Sequence, residues 1–135
     1  MTDTMKPSLS YIIVCDDVRQ EQGGKISLMG LFENIYALNF PVLHPRLALI
    51  SAWTDGRGEF EVVTRLLSPD RKTTLRETVS RITMNEAHHR HMDVSVHINI
   101  EFPSSGTYWI EHYLDRELVS SMPLAVIQVK EQAFH

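Results

Sequence analysis

A single cysteine, Cys15, stands in a chain of 135 residues. No intrachain disulfide can form, which excludes the stapled secreted scaffolds, and a lone thiol fits a reducing compartment. Long apolar runs are missing too: Tyr11 to Cys15 and Leu47 to Ile50 are far too short to cross a bilayer as helices. The opening M-T-D-T-M-K-P-S places an acid before its first base and reaches no apolar run until Leu9, so it lacks the features of an export signal. These absences together predict a soluble, cytoplasmic protein without a membrane partner.

Excess positive charge is also lacking. Thirteen Lys and Arg face seventeen Asp and Glu, a formal net charge of −4, and the basic residues are scattered singly. Phosphate-backbone binding needs a basic stripe, so nucleic acid is not an expected partner. Catalytic signatures are absent as well: there is no H-E-x-x-H, no paired C-x-x-C, no G-x-S-x-G elbow and no D-x-D-x-D-G loop. D55-G-R-G-E59 lacks the helix that a phosphate-cradling loop requires and reads as a hairpin turn. The chain therefore leans away from enzymes, with no catalytic residue and no cofactor expected.

What is present is strand punctuation. Apolar residues recur at every second position or in short solid runs, broken every eight to twelve residues by Gly, Pro, Asp, Asn or Ser. Leu9 to Val18 reads as a central strand and E21-Q-G-G-K25 as a reversal. Ile26 to Tyr36 reads as one strand with a bulge or close approach at Gly30. The prolines of F40-P-V-L-H-P45 mark a connection or an edge, because each removes a ladder donor. Arg46 to Thr54, Glu59 to Leu67 and an exposed or edge strand over Thr73 to Ile82 follow. Residues 85–91 admit a loop, a short helical turn or strand. About eight strands with no crossover helix predict an all-β fold, a single antiparallel sandwich spanning 1–135 in which 1–8 form a flexible tail.

The one stretch that looks chemical is H88-H-R-H-M-D-V-S-V-H97, which holds four of seven histidines. Two histidines two apart on a strand can converge on one zinc ion, so His89 and His91 are the alternative reading as metal ligands. A third ligand would have to come from another strand; His112 alternates in phase with Tyr108, Ile110 and Leu114 and so belongs to the apolar side. The favoured reading places Met92, Val94, Val96, Ile98 and Ile100 on the core face, and His91, Asp93, Ser95 and His97 on a solvated face. Cys15, beside Asp16 and Asp17, reads as a core thiol, since burial and adjacent negative charge both keep it protonated. Trp109 and Tyr113 share a strand face opposite Ile110 and Leu114, which makes them the candidate interaction surface.

C15-D-D-V, G23-G-K-I-S-L-M-G-L-F32, S68-P-D and G106-T-Y together resemble a family of small bacterial single-domain proteins of unknown function. The resemblance covers nearly the whole chain and implies an all-β, immunoglobulin-like sandwich with no assigned activity, cofactor or catalytic residue. The expectation is a non-enzymatic binding or assembly module that forms a homodimer or meets another protein. The competing expectation is a metal-binding protein or metal-dependent enzyme.

Overall fold

The computed structural model describes residues 4–86 and 88–130. Nine strands run through them: β1 Ser8–Gln20, β2 Ile26–Leu31, β3 Asn34–Ala37, β4 Val42–Thr54, β5 Gly58–Leu67, β6 Thr74–Met84, β7 Arg90–Phe102, β8 Gly106–Leu114 and β9 Glu117–Gln128. The described residues hold no helix longer than the three-residue 3₁₀ turn at Gln22–Gly24, and no helix is long and apolar enough to cross a membrane. Two sheets result, a four-stranded one ordered β2-β1-β4-β7 and a five-stranded one ordered β3-β9-β8-β5-β6. The all-β expectation is met, with nine strands where about eight were expected and with one pairing that is not antiparallel.

That exception lies inside what reads as a single strand over 26–36. The chain breaks at Phe32 and Glu33: β2 stays beside β1, while β3 crosses to the other sheet and runs parallel to β9. Gly30, before the break, has φ +71, and a Cβ there would lie 2.5 Å from Asp16 Oδ2. The positive φ suits glycine, and the close approach expected there is to Asp16; the ladder stays in register on both sides of Gly30 as far as Leu31, without the shift a bulge would bring. The Phe32 N–H donates to the Val14 carbonyl at 3.2 Å, and the chain then leaves the sheet.

The expected connection over 40–45 is mostly strand, since β4 begins at Val42 and contains Pro45. The register pairs His44 with Ile100 and Arg46 with Ile98, which sets Pro45 opposite Asn99. Proline has no N–H to offer. Asn99 adopts φ +55, and its carbonyl accepts from Arg76 Nη2 at 2.9 Å instead. This local exception controls which face of β7 points inward.

One buried cluster joins the sheets, with Val14, Leu47, Leu49, Ile100 and Phe102 from the first meeting Leu66, Tyr108, Ile110, Leu124 and Val126 from the second. The Phe102 and Tyr108 rings pack edge to face at 4.9 Å. Each such large side chain contributes about 1.5–3 kcal/mol by leaving water. A second cluster gathers Trp53, Phe60, Val62, Ile82, Met84 and Leu114. The chain is anchored earlier than the expected tail over 1–8 would allow: Met5 and Arg57 exchange two backbone hydrogen bonds of 2.9 and 2.8 Å, and Pro7 is buried. Residues 1–3 lie outside the described residues. Of the stretch 85–91, residue 87 lies outside the described residues; the His89 N–H donates to the Glu86 carbonyl at 3.1 Å, and β7 starts at Arg90.

Candidate interaction surface

The alternation along β7 is as regular as the sequence suggests, but its sense is reversed. Met92, Val94, Val96 and Ile98 are 41, 40, 40 and 57% exposed, while His97, expected in solvent, is 7% exposed. His91, Asp93 and Ser95 are half-buried. The inward face is thus the polar one as far as His97, and beyond Asn99 it switches, so that Ile100 and Phe102 are buried. The left-handed turn at Asn99, opposite Pro45, carries the switch: alternation cannot run unbroken through a residue at φ +55.

Residues directly opposite in adjacent antiparallel strands share a sheet face. Met92 faces Ala52, Val94 faces Ile50 and Val96 faces Ala48 on β4. The same three β4 residues face Tyr11, Ile13 and Cys15 on β1. Three cross-strand rows therefore form one continuous apolar face: Tyr11-Ala52-Met92, Ile13-Ile50-Val94 and Cys15-Ala48-Val96. Ala48, Ile50 and Ala52 are buried in the middle of it, and the exposed aliphatic side chains of β7 form its rim. An ordered apolar face on an outer sheet surface marks an interaction site.

The polar side of β7 lines the seam where the two sheets meet at their edge strands β6 and β7. Ser80 Oγ donates to Asp93 Oδ1 at 2.9 Å, and Arg76 Nη2 reaches the carbonyls of Ile98 and Asn99 at 3.2 and 2.9 Å. Ser95 Oγ lies 3.2 Å from His97 Nε2. These partners make it tolerable to turn a polar face inward. Deeper in, His112 is 1% exposed, as its phase with Ile110 and Leu114 predicts. Burial pushes its imidazole down to about 4, against a smaller upward pull from Asp93, so it stays neutral at physiological pH. Burial likewise lowers the His97 value.

Trp109 and Tyr113, the sequence's interaction candidates, are half-buried on the outer face of the five-stranded sheet, and arginines cover them. The Arg71 guanidinium lies 4.1 Å from the Trp109 ring centre, and that of Arg65 lies 4.8 Å from the Tyr113 ring centre. Between them Glu111 is 4% exposed, taking hydrogen bonds from the Tyr113 hydroxyl at 2.7 Å and Arg71 Nη1 at 3.2 Å.

Among the described residues, His89 and His91 are not drawn together with further ligands. His89 Nδ1 accepts from the Asn85 N–H at 3.2 Å, His91 sits opposite Trp53, and His88 Nδ1 lies 3.3 Å from Asp55 Oδ1. Among the described residues no group of three or more His, Cys, Asp or Glu is placed to hold a metal ion. Cys15 is fully buried, and burial raises its thiol pKa. The sequence does carry one signal of the apolar face: Leu47 to Trp53 is apolar on both parities, apart from Ser51, as a strand covered on both sides would be.

Residues 10–127 match a family described as "Family of unknown function (DUF6941)". No curated protein matches the chain.

Proposed function

Because the chain belongs to this family of unknown function, which hands down no activity, we propose that it is a non-catalytic assembly module that pairs with a second copy through the outer face of its four-stranded sheet. In this reading the two sheets form an immunoglobulin-like sandwich that works in the cytoplasm as a rigid scaffold for that face. The observation that carries it is the row Met92, Val94, Val96 and Ile98, four aliphatic side chains all 40% or more exposed on one strand.

Charge favours a second copy as the occupant. Arg90 and Glu101 are exposed at opposite ends of β7, and neither has an ion-pair partner among the described residues. A two-fold axis near Ser95 sets Met92 of one copy opposite Ile98 of the other and brings Arg90 toward Glu101. Arg76 occupies carbonyls on the open edge of β7, so the copies stack face to face, about 10 Å apart, and do not join edge to edge. A stable dimer buries roughly 800 Å² per partner, which extends the contact from the β7 row across Ile13 and Tyr11.

Light scattering coupled to gel filtration tests this. The native protein should run as a dimer and the Val94→Glu/Val96→Glu variant as a monomer, with unchanged circular dichroism. Val94→Thr/Val96→Thr, which keeps strand propensity, should weaken the dimer without unfolding the chain. A native protein that stays monomeric at high concentration would end the proposal, and a contact with a different protein would then have to explain the face.

A further inference from the structure

On the side away from the β6–β7 seam the two sheets are held together incompletely. β2 pairs with β1 only from Cys15 to Gln20, and β3 pairs with β9 only from Ala125 to Gln128. The first half of β1 and the first half of β9 therefore each keep one unpaired edge, and the two edges flank a slot. The Phe32–Asn34 crossover closes its upper end. Lys6 and Glu117, 3.2 Å apart, bridge its lower end. Ile12, Val14, Phe32, Met122 and Leu124 line an apolar cavity of about 460 Å³ there, with Glu33 also among its lining residues.

The backbone of β1 is poised toward this slot. Val14 accepts from the Phe32 N–H, so its carbonyl points along the line that β2 has just left. Alternation along an antiparallel strand turns the N–H and C=O of Ile12 the same way. Had the chain continued past Leu31 in the β2 direction it would have filled the slot; the crossing at Phe32 and Glu33 takes it elsewhere. Glu33 is exposed and has no ion pair among the described residues.

We propose that the slot receives an extended peptide strand from a partner protein, running antiparallel to β1, apolar at alternate positions and basic at the N-terminal end that meets Glu33. The ladder comes from the β1 edge and the specificity from the apolar cavity and the carboxylate, the usual division in strand addition. The slot uses the edge and inner side chains of β1, Ile12 and Val14, whereas the proposed dimer face uses the β7 row and the outer side chains Tyr11 and Ile13 of the same strand.

The probe is a synthetic seven-residue peptide, lysine followed by alternating valine and threonine, titrated into ¹⁵N-labelled protein. Amide shifts should concentrate at Ile12, Val14, Glu33 and Leu124, and the Ile12 amide should exchange more slowly with solvent. A peptide N-methylated on its ladder-facing amides should not bind. Glu33→Lys should weaken the lysine peptide a few-fold and favour a peptide that begins with glutamate. The Val94→Glu/Val96→Glu variant should bind as the native protein does. Absence of shifts at saturating peptide, shifts on the β7 face instead, or equal binding of the N-methylated peptide would each overturn the proposal.

Discussion

Ser80 Oγ stands 2.9 Å from Asp93 Oδ1, a hydrogen bond that crosses from the edge strand of one sheet to the edge strand of the other. It gives Asp93, on the polar face of β7, a partner inside the molecule. The seam is closed by directional bonds where a hydrophobic contact would be the ordinary solution.

Removing the donor should be costly. Ser80→Ala leaves a partly buried carboxylate short of one hydrogen bond, and stability should fall by about 1–2 kcal/mol. Urea unfolding measures this. An unchanged midpoint would mean that water replaces the hydroxyl without penalty.

Acid should weaken the fold through His112. Burial holds its folded value at about 4, below the ordinary 6.5, so the unfolded chain binds a proton between these limits that the folded chain does not. The stabilising difference is fully present above about pH 6.5 and is lost as pH falls toward 4, by on the order of 3 kcal/mol. His97 shifts in the same direction. Unfolding free energies measured across this range should slope less steeply in His112→Leu, and His97 should account for part of the remaining slope.

Gly30→Ala should destabilise the protein more than Gly23→Ala. Both glycines have positive φ, +71 and +79, but the added Cβ meets Asp16 at 2.5 Å in the first case and nothing within 4 Å in the second. The backbone cost is about 1 kcal/mol at each site, and the clash adds to it only at Gly30. Asp16→Ala in the Gly30→Ala background should recover part of the loss, as read from thermal unfolding.

Tyr113 should titrate above the ordinary tyrosine range, because its hydroxyl donates to the Glu111 carboxylate. Glu111→Gln removes that charge and should return the phenol toward its usual value. A ring-carbon NMR titration follows this one tyrosine among four. If its midpoint stays raised, the cause is burial and not the carboxylate.

Much of the strand framework was legible because alternation and turn chemistry are local. Phe60, Val62 and Leu66 face inward and Glu59 faces out, and β6 is an edge strand, all as the sequence reads. The inward phase of His112 was legible for the same reason. The histidine stretch was misread because alternation says which residues share a face and not which face is covered. Its polar members were assigned to solvent, yet Ser80 partners Asp93 and Ser95 partners His97, which lets them turn inward.

The sequence by itself determined most of the strands, the all-β class, the reversals at its glycines and the absence of an intrachain disulfide, since each follows from a residue and its near neighbours. The tertiary structure decided the rest. Pro45 meets Asn99 only through the pairing of β4 with β7, and there the inward face of β7 switches, with Met92, Val94, Val96 and Ile98 outside before it. The slot beside β1 exists only because the chain leaves β1 after Leu31 and crosses to pair with β9. Both surfaces arise from contacts between residues far apart in the chain, and spacing along a single strand carries no record of them.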